Sequence, residues 1–128
     1  KKRTKAQVSI EFIIITGVIL FFFVGFLIVL NFSLEDARRQ KENTFMKDLA
    51  LTVRKEVGIA AHSSEGYYRE FFITPTISGR DYYINITQNV LQIKTNRNSL
   101  TLAVEEVNGT IQKGQNIIRK SGGNTQLN

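Results

Sequence analysis

The chain contains no cysteine, one histidine and one proline in 128 residues. The missing cysteines exclude disulfide staples, thiolate nucleophiles and cysteine-based metal sites together. A lone histidine, His62, cannot build a multi-histidine centre, and Glu56 and Glu65 near it stand at no recognised ligand spacing. Its position instead favours an interaction with the dipole at a helix C-terminus. There is no nucleophile–base set, phosphate-binding loop or metal cluster, so an enzyme is not expected, nor is any cofactor or metal. Internal repeats, low-complexity tracts and long linkers are also missing. Even the basic excess is narrower than it looks. Residues 1–6 hold four of the seventeen Lys and Arg and none of the eleven Asp and Glu, so the net +6 falls to +2 without them. Nucleic acid is therefore not an expected partner.

What is present is one long apolar run. Phe12–Leu30 carries no charge, and only Thr16, Gly17 and Gly25 interrupt it as weak or non-apolar positions. It matches the roughly 20 residues a helix needs to cross a bilayer core. The cationic stretch Lys1-Lys2-Arg3-Thr4-Lys5-Ala6 precedes it, and the first charges after it are the acidic Glu35 and Asp36. The positive-inside bias predicts a single span with the N-terminus in the cytoplasm and the rest outside. A conventional secretory signal is the rival reading, but its apolar region is about 7–15 residues long and ends in small residues. Asn31-Phe32-Ser33-Leu34-Glu35 offers no such exit. Cleavage, if it occurs, is expected at Ala6; a permanent uncleaved anchor is the other option.

Helical character continues past the apolar run. Met46, Leu49, Ala50, Val53, Val57 and Ala60 recur at intervals of three and four, which predicts one apolar stripe. Charged residues including Arg38, Arg39, Lys41, Glu42, Lys47 and Arg54 are read as the polar remainder. With no proline to break it, one helix is predicted over residues 7–62, about 80 Å long at 1.5 Å per residue. From Tyr67 the pattern changes to short β-branched and aromatic runs with a period near two: Tyr68–Thr74, Tyr82–Thr87, Val90–Thr95 and Ser99–Val104. Asn108-Gly109 is a strong hairpin-turn signal. Beyond it, Ile111, Ile117, Ile118 and Leu127 suggest two more short strands, interrupted by Lys113–Asn116 and Ser121–Asn124. The expected fold is α+β: a cationic leader at 1–6, the long helix at 7–62 with its hydrophobic segment at 12–30, and a β-rich head at 67–128. The head is expected to be an antiparallel meander of four or five strands packed on the helix stripe.

Glu11 sits at the mouth of the apolar run, and an ionised carboxylate held in hydrocarbon costs several kcal/mol unless paired or neutralised. No Lys or Arg occurs between it and Arg38. A cut after Ala6 would create a cation, the α-amino group of Gln7, one helical turn from Glu11 or within reach of Glu11 on a neighbouring copy. The plainer reading leaves Glu11 hydrated at headgroup depth, favoured by the positive end of the helix dipole.

These residues resemble the type IV pilins, in particular the archaeal pilins with a short cationic class III signal peptide. The resemblance rests on Lys5-Ala6 before Gln7-Val8-Ser9-Ile10-Glu11-Phe12 and on the apolar run that follows; Ala6 stands where glycine is commoner. It implies cutting between Ala6 and Gln7 by a membrane prepilin peptidase, with Glu11 matching the family's glutamate four residues past the new terminus. It also implies a subunit exported by pilus assembly machinery into an extracellular filament, with a core of bundled helices and a surface of β heads serving adhesion. Phe12, Phe21, Phe22, Phe23 and Phe26 are bulky on several sides and suit contact with many identical neighbours, and no G-x-x-x-G dimer motif is present.

Three N-glycosylation sequons occur; Asn108 in its expected turn ranks first, Asn85 second and Asn31, at the helix exit, last. The competing function is a membrane-anchored adhesion module that never polymerises, or a minor pilin. Tyr67, Tyr68, Tyr82 and Tyr83 are that module's candidate contacts, although packing in the sheet is the more ordinary fate of tyrosine.

Overall fold

A computed structural model describes the backbone from Lys2 to Asn128 and side chains from Gln7 onward. The fold is α+β. One helix, α1, runs Lys2–His62, and seven strands follow: β1 Tyr68–Ile73, β2 Tyr83–Thr87, β3 Val90–Lys94, β4 Ser99–Ala103, β5 Asn108–Gly109, β6 Gly114–Ser121 and β7 Asn124–Leu127. The chain divides into two compact units, one ending at Arg39 and one comprising Gln40–Asn128.

In the second unit the helix stripe closes the core. Met46, Ala50, Val53, Val57 and Ala60 are buried together with Ile73, Ile84, Leu91, Ile93, Ile118 and Leu127 from the strands. Each large side chain of this set contributes about 1.5–3 kcal/mol on leaving water. Period-two alternation selects the inward residues: Leu91 and Ile93 on β3, Asn116 and Ile118 on β6, Thr125 and Leu127 on β7.

The strands form two sheets where one meander was expected. The three-stranded sheet, β2-β3-β4, is a true meander. Its first hairpin turns on Gln88 and Asn89, both at positive φ, as a two-residue turn matched to strand twist requires. The four-stranded sheet has the order β1-β6-β7-β5, so its first strand pairs with a partner some fifty residues later, Tyr68 opposite Arg119. Local periodicity carries no information about pairing at that distance.

Two expected punctuation marks have other roles. Asn108-Gly109 does not turn a hairpin: it pairs in parallel with Gln126 and Leu127. Gly109, at φ 112°, is needed because a Cβ there would overlap the Leu127 carbonyl. Lys113–Asn116 does not interrupt a strand either, since β6 begins at Gly114. Its Asn116 is fully buried, with Oδ1 accepting from the Gln112 N–H at 2.9 Å and Nδ2 donating to the Gln112 and Gly114 carbonyls.

The stripe itself is not wholly apolar. Glu42, expected on the wet face, is buried; it lies four residues before Met46 and so on the same side of the helix. Thr95 Oγ1 donates to its Oε1 at 2.5 Å, and the Arg80 guanidinium stands 3.9 Å from Oε2. Glu56 is buried as well, with Arg69 Nε 3.0 Å from its Oε2.

Candidate functional site

The helix from Gln7 to Leu34 lies in the first unit and has no covering layer among the described residues. Its large apolar side chains, from Val8 and Ile10 through Leu34, are exposed on every side of the helix. The five expected packing phenylalanines illustrate this: Phe12 is 69% exposed, Phe21 78%, Phe22 70%, Phe23 55% and Phe26 58%. At about 100° per residue, Phe21 and Phe23 lie on opposite faces, so these rings radiate and do not gather into one patch. Phe21 and Phe22 meet edge to face with centroids 6.1 Å apart. Around Gly17 and Gly25 there is open space among the described residues.

This is the one helix among the described residues that is long and apolar enough to cross a membrane. A helix hydrophobic all round is stable only in lipid or inside protein. The polar side chains at its far end turn inward to the backbone: Asn31 Nδ2 donates to the Leu27 carbonyl at 2.9 Å and Ser33 Oγ to that of Val29 at 3.2 Å. Arg39 and Glu35 stand 3.9 Å apart where the charged segment begins.

At the near end the structure brings Gln7 and Glu11 together. The Gln7 side-chain amide donates to Glu11 Oε1 at 3.4 Å, across one helical turn. Sequence reasoning had considered the Gln7 α-amine as the partner and overlooked its amide, although the i, i+4 spacing was the signal for both. The side chain of Ala6, the other half of the expected cut, lies outside the described residues.

The three sequon asparagines stand in different settings. Asn108 is exposed on β5, Asn85 is half-buried on β2 with Nδ2 donating to Thr87 Oγ1 at 3.0 Å, and Asn31 is exposed on the helix. The four tyrosines divide as well. Tyr82 is buried, its hydroxyl donating to the Thr74 carbonyl at 2.5 Å, and burial pushes its phenol above the usual range. Tyr67 is half-buried, while Tyr68 and Tyr83 are exposed. The hydrogen bond from Tyr68 to Glu70 raises the Tyr68 phenol. His62 Nδ1 lies 2.8 Å from the Gly58 carbonyl in the last helical turn.

No protein-family model, curated protein or solved structure matches the chain.

Proposed function

We propose that this chain is a structural subunit of an extracellular filament of the type IV pilus kind. The observation that carries the reading is a single helix with two surfaces. Up to Leu34 it exposes large apolar side chains all round; from Met46 it offers one stripe, and its own strands cover that stripe. A surface of the first kind needs hydrocarbon or many protein neighbours, and other copies of the same helix supply the latter. Before assembly the segment spans the membrane with its N-terminus inside. A prepilin peptidase cuts between Ala6 and Gln7, and the assembly machinery then extracts the helix into a bundle.

Within that reading Glu11 receives the freed amine of Gln7, on its own or a neighbouring copy, and so sets the axial stagger of packed helices. N-terminal sequencing of sheared native filaments should begin at Gln7; material that begins at Lys1 would sink the processing step. Glu11→Ala should lower filament yield while leaving membrane insertion unchanged, and a normal yield would count against the pairing.

The exposed Tyr68 and Tyr83 favour one alternative, an anchored adhesion module that does not polymerise. Electron microscopy of sheared surface material separates the two, since an anchored module stays with the membrane fraction.

A further inference from the structure

At one end of the three-stranded sheet, three segments distant in sequence surround an open depression of about 790 Å³: residues 80–84, 94–96 and 111–113. That volume lies within the roughly 300–1,000 Å³ of small-ligand sites. Each wall is pinned from behind by a buried polar side chain. Tyr82 ties the first to the Thr74 carbonyl. Thr95 closes the second, its N–H donating to the Asn98 carbonyl at 2.8 Å and its Oγ1 accepting from the Asn98 N–H at 3.1 Å. Asn116 holds Gln112 in the third through both its amide atoms. The cleft is thus shaped before any ligand arrives, which removes the cost of ordering its loops.

Two of its cations are already engaged. Arg80 faces the buried Glu42, while Lys113 is paired with Asp81 and stands 4.9 Å above the Tyr82 ring. Lys94 has no ion pair among the described residues. Directly across the β2–β3 ladder from Lys94 is Tyr83, 54% exposed, so the ring and the ammonium share one face of the sheet about 5 Å apart at their Cβ atoms. Asn96 and Gln112 add amides to the lining.

We infer that this cleft binds an acidic saccharide, with a sugar ring stacked on Tyr83 and its carboxylate held by Lys94. A sugar presents C–H groups to an aromatic face and hydroxyls to amides, so Tyr83, Asn96 and Gln112 each have a counterpart. A neutral sugar leaves Lys94 unmatched, and a free inorganic anion makes no use of Tyr83. A nucleic acid requires a longer track of cations than the one available here. The assignment stands apart from the filament reading, because a chain that never polymerises carries the same cleft.

The test is calorimetric titration of the full chain in non-ionic detergent with trigalacturonate, with maltotriose as the neutral control and inorganic phosphate as the free anion. Saturable binding of trigalacturonate is expected, at least about tenfold tighter than either control and weakened by salt. Tyr83→Ala and Lys94→Gln, both at exposed positions, should each lower affinity about tenfold, Lys94→Arg should restore it, and Lys55→Gln on the helix should change nothing. Equal affinity for the acidic and neutral sugars, binding unaltered in Tyr83→Ala, or a loss in Lys55→Gln as large as in Lys94→Gln overturns the assignment. So does the absence of saturation up to about 10 mM, beyond the range of a specific site.

Discussion

The two stretches of α1 have similar local geometry and opposite surroundings. Val18 and Val24 are each about half exposed, whereas Val53 and Val57 on the same helix are fully buried. The residue type is identical, so the difference lies in what surrounds it: strands for the second stretch and, among the described residues, nothing for the first. Helix formation therefore says little about stability here. In the second stretch apolar burial adds to the stability of the fold, and in the first the same apolar area remains available to lipid or to other molecules.

The sharpest way to break this comparison is to place one carboxylate in each stretch. Val53→Asp buries an unpaired charge and should cost the β domain about 4 kcal/mol or more, seen as loss of its cooperative thermal transition. Val24→Asp should leave that transition unmoved and instead weaken membrane insertion by about 3 kcal/mol, seen in a partitioning assay. Equal effects on the melt would show that the two stretches are not distinct.

A smaller effect is expected from Asn116→Ala, which strips the polar anchor from the loop before β6. It should cost about 2–3 kcal/mol in the thermal melt by leaving partly buried backbone groups of Gln112 and Gly114 without their partner, again with insertion unchanged. Glu42→Gln keeps an acceptor for Thr95 and removes the charge facing Arg80; its cost should be about 1 kcal/mol. Thr95→Val should cost more than this substitution, because it leaves the buried carboxylate without its hydroxyl donor.

The smallest effect is expected at the surface. Lys113 holds the exposed Asp81 carboxyl below its usual range, chiefly by hydrogen bonding. The folded-state pKa is depressed, so the contribution is present above the unfolded value of about 3.9 and is lost as pH falls through the lower folded value. Asp81→Asn should lower the thermal midpoint slightly at neutral pH and make no difference well below that range, and solvent screening keeps the shift small.

Much of this contrast was legible in the residues. An uninterrupted apolar run followed by a three-and-four stripe is a local pattern, and α1 follows it through His62. Strand positions were legible for the same reason: β2, β3 and β4 lie inside the expected runs. Sheet membership was not, because the pairing of β1 with β6 joins residues some fifty positions apart, with the three-strand meander between them in the chain. Glu42 was misplaced because its charge outweighed its position on the stripe; its partner Thr95 lies 53 residues away. Asn108-Gly109 carried the right signal for the wrong reason, since positive φ serves a turn and a close backbone approach equally well. The candidate cleft was legible only in part: Tyr82 and Tyr83 stood among the candidate contacts, but Lys94 read as an ordinary strand residue until register set it beside Tyr83.

The inward hydrogen bonds of Asn31 and Ser33 have one more consequence. The Ser33 hydroxyl and one Asn31 N–H are satisfied by the helix backbone, which softens the break these two residues make in the oily exterior, although the rest of the Asn31 amide stays polar. Phe32 and Leu34 then extend the apolar girdle beyond Leu30. Its height grows from roughly 27 Å for Phe12–Leu30 to roughly 33 Å for residues 12–34 at 1.5 Å per residue. That passes from slightly short of a hydrocarbon core of about 30 Å to slightly longer than it. A helix of the greater height meets a typical bilayer by tilting and a shorter one by thinning it, so whether the girdle ends at Leu30 or at Leu34 sets the sign of the mismatch.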